Sequence, residues 1–240
     1  MAYYDGRLNF DTSIDTKGFH KSLARLVKAA AGGATVGTAL VAAIKSGIDF
    51  ESAFAGVKKT VDATEEQLAK LRSGILQMST EIPLAATEIA GIAEAAGQLG
   101  IKTDSIEGFT RVMADLGVAT NMTSEQAATS LARLANITQM PQENFDRLGS
   151  TIVDLGNNLA TTESEIVEMA LRLAGTGNQV GMTEAQIMAF SGALSSVGIQ
   201  AEAGGTAFSK LMSDMQLATA TGNQDLQNFA IVAGMSAQQF

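Results

Sequence analysis

The spacing of apolar residues changes near residue 15 from a period of two to a helical period. Between residues 7 and 14 apolar and polar side chains alternate, a pattern typical of a short β-strand. From Asp15 onward the apolar residues fall on one side of a helix and the lysines on the other. We therefore predict a short N-terminal β-strand or extended arm, followed by a basic helix, over residues 1–28.

Residues 29–44 form an uncharged run that is rich in alanine and glycine. Gly33 and Gly37 are four residues apart, and this small-residue spacing lets two helices approach closely in lipid or in water. As a helix the run rises only about 24 Å, less than the roughly 30 Å of a bilayer's hydrocarbon core. We predict a helix–helix contact through Gly33, Gly37 and Val41, with membrane contact by residues 29–48 as the alternative.

Helix-start signals recur along the chain beyond residue 60. In each signal, the side chain of the N-cap residue accepts a hydrogen bond from a backbone amide of the first turn. The Glu or Gln three residues later accepts a hydrogen bond from the backbone amide of the N-cap residue, and the two bonds together form a capping box. The predicted N-cap residues are Thr64, Asp104, Thr123, Thr162 and Thr183. Glycines that follow apolar runs predict the matching helix ends, namely Gly100, Gly117, Gly177 and Gly198.

These signals predict an all-α fold, a compact antiparallel multi-helix array of short helices. Helix-forming alanine and leucine are abundant and there are only two prolines. We divide the chain into an arm and basic helix (1–28), an apolar helix and linker (29–60) and a helical core (61–240). A further capping box begins at Ser236, with too few residues after it for a helix, so we expect the core to continue in a longer polypeptide.

The charge distribution adds a constraint on binding partners. Residues 1–60 contain eight Lys or Arg and five Asp or Glu, whereas residues 61–240 contain eight and twenty. Because nucleic-acid-binding domains carry a dense basic stripe, this acidic core argues against specific nucleic-acid binding. The chain has no cysteine, which excludes disulfides and thiolate chemistry and fits assembly in a reducing cytoplasm.

Residues with catalytic potential are few. His20 is the only histidine, which excludes multi-histidine metal sites and leaves no alternative base for a catalytic triad. The carboxylates of Glu163, Glu165 and Glu168 lie in or near a first helical turn, where the helix dipole favours negative charge. We predict no catalytic residue, no cofactor site and no metal site, and hence a protein that is not an enzyme.

Several blocks of the sequence resemble the core region of phage tail tape measure proteins. They include Asp49-Phe-Glu-Ser-Ala-Phe-Ala-Gly-Val-Lys-Lys-Thr60, Gly97-Gln-Leu-Gly-Ile101, Leu131-Ala-Arg-Leu-Ala-Asn136, Thr162-Glu-Ser-Glu-Ile166 and Gly205-Thr-Ala-Phe208. Each block is short and rich in common residues, but their order and spacing over residues 49–240 are typical of that family.

The resemblance implies a structural and assembly protein that occupies the lumen of a tail tube and sets its length. The implied partners are the tail tube protein, tail assembly chaperones and baseplate or tail tip proteins, together with self-association, for example as a trimer. The implied location is the virion tail, with the host cytoplasm during assembly. A phage and a tailed bacteriocin remain equally open as the source, and a membrane-active or channel-forming protein is the alternative function.

The glycine content qualifies the measuring role. A ruler built as a continuous helix gains about 1.5 Å per residue, and its shaft should contain few glycines. This chain contains 24 glycines. We therefore predict that it folds back on itself as the head and core of such a protein and does not form the extended shaft.

Overall fold

A computed structural model describes residues 34–239, with side-chain surroundings from residue 42 onward. The predicted β-strand between residues 7 and 14, the basic helix after it and Gly33 lie outside the described residues.

The contacts within the chain divide it into two units, residues 1–51 and 52–240. The first described helix runs through this boundary, from Ala34 to Thr60. Because the predicted arm and basic helix (1–28) lie outside the described residues, the division into an arm, an apolar segment and a core stays a prediction.

Ten α-helices and one turn of 3-10 helix occupy most of the described residues. The helices are α1 (Ala34–Thr60), α2 (Glu65–Glu81), α3 (Ala86–Gln98), α4 (Thr103–Ala119), α5 (Ser124–Thr138), α6 (Phe145–Asn158), α7 (Glu163–Gln179), α8 (Glu184–Ser196), α9 (Ala201–Thr221) and α10 (Gln224–Ala233). The 3-10 turn, Gln142–Asn144, leads into α6. No β-strand occurs within residues 34–239, and the all-α prediction is confirmed.

Four helices begin with a reciprocal capping box. Thr64, Thr123, Thr162 and Thr183 stand at the N-caps of α2, α5, α7 and α8. At α2 the amide of Gln67 donates to the hydroxyl of Thr64 over 3.3 Å, and the amide of Thr64 donates to the Gln67 side chain over 3.0 Å. Each box satisfies two backbone N–H groups that a helix start otherwise leaves without partners.

The prediction that Asp104 caps a helix was wrong. Helix α4 begins one residue earlier, at Thr103, and Lys102 occupies the N-cap without a side-chain capping bond. Contacts with distant segments replace the local cap, because the amide of Lys102 donates to Gln142 over 2.8 Å and the hydroxyl of Thr103 donates to the carbonyl of Asp62 over 2.8 Å. Asp104 instead lies in the first turn, where its negative charge interacts favourably with the helix dipole.

The glycines fall into two groups. Gly100 and Gly198 follow α3 and α8 with φ angles of 80° and 79°, in the left-handed region that ends helices. Gly117 and Gly177 lie inside α4 and α7, so the prediction that they end helices was wrong. A Cβ on Gly177 would come within 3.0 Å of Ile187, because a neighbouring helix packs directly against the backbone there.

The helices of residues 52–240 stack as two layers. One layer contains α2, α4, α6 and α8, and the other contains α3, α5, α7 and α9, with each helix packed on the next member of its own layer. Most consecutive helices also pack across the two layers. The exceptions are the pair α8 and α9 and the pair α5 and α6. Between α5 and α6, the 3-10 turn packs against α4 and α6. We call helices α2 to α7 the layered array.

The core of the layered array is built from large apolar side chains. Phe109 of α4 and Phe145 of α6 meet edge to face, with ring centroids 4.7 Å apart, a favourable arrangement for aromatic pairs. The end of α1 is held by Phe54 and Val57, which are 1% and 0% exposed. Burial of each such side chain stabilises the fold by roughly 1.5–3 kcal/mol.

Candidate interaction surface

The described chain shows no clustered metal ligands, and Glu165 serves local structure. Within residues 34–239 no group of three or more His, Cys, Asp or Glu side chains is placed to hold a metal ion. The carboxylate of Glu165 accepts hydrogen bonds from the amide of Thr162 over 3.1 Å and from the hydroxyl of Thr161 over 3.0 Å. The bond from the Thr162 backbone, followed by those of the two threonine hydroxyls, holds the pKa of Glu165 below its usual value. Glu165 is thus an ionised part of a helix cap.

The predicted contact through Gly33, Gly37 and Val41 concerns the beginning of α1. Gly37 and Val41 lie in this helix, Gly33 lies outside the described residues, and the contact stays a prediction. None of the helices within the described residues is both long and apolar enough to cross a membrane.

Large apolar side chains that remain exposed are concentrated in the last three helices and the residues that follow them. They are Phe190, Val197, Ile199, Leu211, Leu217, Ile231, Val232 and Met235, and we call them the C-terminal apolar surface. Between residues 52 and 180 the corresponding side chains are Val118 and Ile137 alone. Because surfaces of this kind mark sites of association, the C-terminal apolar surface is the candidate functional site.

Helix α8 contributes to this surface because it is apolar on more than one side. Ile187 and Met188 are fully buried against the rest of the fold, whereas Phe190 is 46% exposed. The ring of Phe190 rests against Phe208 of α9, with centroids 5.7 Å apart. A helix that is apolar all round is normally covered all round, so α8 has the character of a helix with one side still to be packed.

Helix α10 carries the most exposed part of the surface. It packs chiefly against α9 and buries Ala230, while Ile231 and Val232 are 75% and 88% exposed. The helix begins at Asn223, whose side chain accepts hydrogen bonds from the amides of Asp225 and Leu226 over 3.0 and 3.3 Å. We did not predict this N-cap from the sequence, although Asn directly after a glycine is a recognisable helix-start signal.

Comparisons with known proteins give the surface a context. A family model described as phage-related minor tail protein matches residues 72–240. A probable tape measure protein of Halomonas phage phiHAP-1 is 24% identical over 191 residues, which cover 74% of this chain and 22% of that protein. The chain thus spans about a fifth of the length of this curated relative. No solved structure matches the chain.

Proposed function

The chain belongs to the family of phage-related minor tail proteins, and we propose that within a phage-type tail it forms part of a tape measure, the protein that sets the length of the tail tube. The observation that carries this proposal is the similarity of 74% of the chain to a probable tape measure protein. The proposed role is structural and not enzymatic.

Within such a protein we assign these residues to a folded head and core. A continuous helix extends by about 1.5 Å per residue, but helices α2 to α9 are only 13 to 21 residues long and turn back into two layers. Length measurement therefore falls to other parts of the polypeptide. The folded part is suited to contacts with other proteins of the tail.

The proposed surroundings are those of a tail under construction. We place the protein in the lumen of the tube after assembly and in the host cytoplasm before it, with the tail tube protein, assembly chaperones and baseplate or tail tip proteins as partners. The C-terminal apolar surface is the proposed site of packing, either with these partners or with further copies of the chain. A contact through Gly33, Gly37 and Val41 is a second proposed self-association site.

The measuring role is tested by changing the length of the gene in its own phage or tailed particle. A helical insertion of about 40 residues outside codons 52–240 is expected to lengthen the tail by about 60 Å, as seen by electron microscopy. The matched control places the same insertion in the connection between α6 and α7, where a folded segment should absorb it with little change in tail length. Tails of unchanged length with both insertions would exclude the tape measure role.

The packing role is tested by placing charges on the apolar surface. Changing Ile231 and Val232 to lysine should reduce self-association or capture of tail proteins, because charged side chains resist burial. The control is the double change Val118→Lys and Ile137→Lys, at exposed apolar positions of the layered array. Sedimentation velocity and co-purification with tail proteins measure the effect, and equal behaviour of the two double variants would contradict the assignment.

A further inference from the structure

An open groove of about 560 Å³ lies between α4 and α6, away from the C-terminal apolar surface. Val112 and Leu116 of α4 and Val153 of α6 provide its apolar lining. Gly149 fixes the spacing of the two helices, since a Cβ there would come within 2.8 Å of Val112. The side chain of Val112 therefore packs directly on the backbone of α6, which gives the groove a defined shape before any partner binds.

The sides of this groove are acidic. Asp115, Asp146 and Asp154 line it and are exposed, and within the described residues none of the three forms an ion pair. The one cation in the lining, Arg111, donates to the carboxylate of Glu81 over 2.7 Å. Because Glu81 already neutralises this guanidinium, the groove presents a net negative charge to a ligand.

The carboxylates of Asp146 and Asp154 can accept further hydrogen bonds beside the local ones that they already form. Asp146 accepts from the amide of Arg147 over 2.7 Å, and Asp154 accepts from the side chain of Asn158 over 3.0 Å. Each of these bonds uses one carboxylate oxygen, whereas an ionised carboxylate offers about four acceptor positions on two oxygens. Positive groups that approach along the groove can therefore still be bound.

The dimensions of the groove match a helix. Lining residues of α6 extend from Asp146 to Asn157, which corresponds to about 16 Å along the helix axis, or three turns. On α4, Val112, Leu116 and Ala119 follow the spacing of one helix face. A third helix can thus lie along both walls, with one apolar stripe facing the floor.

We propose that this groove binds an amphipathic helix of another protein, with apolar side chains on the floor and Lys or Arg side chains beside the three aspartates. The charge decides the partner, because an acidic helix would be repelled and an uncharged one would cover the carboxylates without compensating them. The proposal rests on the groove itself and stands independently of the tape measure role.

The test uses the full 240-residue chain and two synthetic helical peptides of about 15 residues, near the shortest length that forms a helix in water. One peptide has leucine on one face and lysine on both flanks, and the other has glutamate in place of every lysine. Fluorescence anisotropy measures binding to the wild type, to D115K/D154K and to Val153→Ser. The matched control is D62K/D225K, which changes the net charge equally at exposed sites outside the groove.

We expect the lysine peptide to bind the wild type and the control variant alike. Binding to D115K/D154K should be at least tenfold weaker, and binding to Val153→Ser several-fold weaker with an unchanged circular dichroism spectrum. The proposal is overturned if the lysine peptide does not bind, if the glutamate peptide binds as well, or if D62K/D225K weakens binding as much as D115K/D154K. The last outcome would mean that only the overall negative charge attracts the peptide.

Discussion

The layered array and the last three helices are similarly apolar, but the layered array buries its large apolar side chains more completely. Among the buried apolar side chains of the described residues, those beyond residue 180 are Ile187, Met188, Phe208, Ala218 and Ala230, whereas eight of the eleven exposed large apolar side chains lie at or after Phe190. A helix of the array has neighbours in its own layer and in the other layer, while α10 packs chiefly against α9. In α10, the exposure of large apolar side chains therefore reflects the small number of neighbouring helices.

The largest expected effect comes from removing one aromatic ring from each region. Phe109→Ala removes a fully buried ring of the layered array and should lower the free energy of unfolding by about 3–5 kcal/mol, because it leaves a cavity. Phe190→Ala, at a half-exposed ring of α8, is the matched change and should cost clearly less. Urea denaturation followed by circular dichroism measures both. Equal losses of unfolding free energy in the two variants would contradict the difference in burial between the two regions.

A second pair of variants asks whether the close packing of the array extends to its backbone. A Cβ on Gly97 of α3 would lie 2.8 Å from the carbonyl oxygen of Thr60, whereas one on Gly91 of the same helix meets nothing within 4 Å. Gly97→Ala should destabilise the protein by about 1–3 kcal/mol through overpacking. Gly91→Ala should stabilise it by about 0.5–1 kcal/mol through higher helix propensity. Thermal unfolding temperatures that move in the same direction would contradict the close approach of α1 and α3.

A smaller effect is expected at a buried hydroxyl in the middle of the array. The Thr110 hydroxyl is fully buried and has no hydrogen-bond partner among the described residues, so Thr110→Val should stabilise the fold by about 1 kcal/mol. The control is Thr138→Val, because the Thr138 hydroxyl donates to the carbonyl of Leu134 over 2.9 Å. That change should be neutral or slightly destabilising. The denaturant midpoints of both variants measure the change in stability. A loss of stability in Thr110→Val would show that the Thr110 hydroxyl of the wild type has a hydrogen-bond partner in solution.

The smallest effect concerns pH and the cap of α7. Hydrogen bonds from Thr162 and Thr161 lower the folded-state pKa of Glu165 below the usual 4.5. The stabilisation is therefore complete above the unfolded-state pKa and is lost as the pH falls through the folded-state pKa. As the pH falls below 4.5, the stability of Glu165→Gln should therefore fall less steeply than that of the wild type. Glu163→Gln, outside the capping box, serves as the control, and identical slopes for all three proteins would contradict the prediction.

The sequence was informative where structure is decided locally. A capping box uses four consecutive residues, so Thr64 and Thr183 could be identified as N-caps without knowledge of the fold. Asp104 was misassigned because α4 starts through hydrogen bonds to Asp62 and Gln142, which are distant in sequence. Gly117 resembles a helix end but lies opposite Ser124, whose side chain a Cβ would overlap. Such contacts exist only once the helices are packed.

The family resemblance is confirmed by the family model, which matches residues 72–240, and by the tape measure relative. The sequence did not indicate either surface. Phe190 and Val232 have the same apolar character as buried residues, and only the arrangement of neighbouring helices leaves them exposed. Likewise, Asp115 and Asp154 lie on different helices, so their shared position at one groove depends on the packing of α4 against α6.

The two-layer packing also determines how the fold can be taken apart. Helices α2 to α9 pack mainly against the next helix or the next but one, so contacts join segments that are close in sequence. Proteins with such local contacts fold rapidly, and repeat-like stacks lose structure from an end, one interface at a time. A pull on one end of this chain should therefore peel away single helices at modest force, without simultaneous rupture of its whole core.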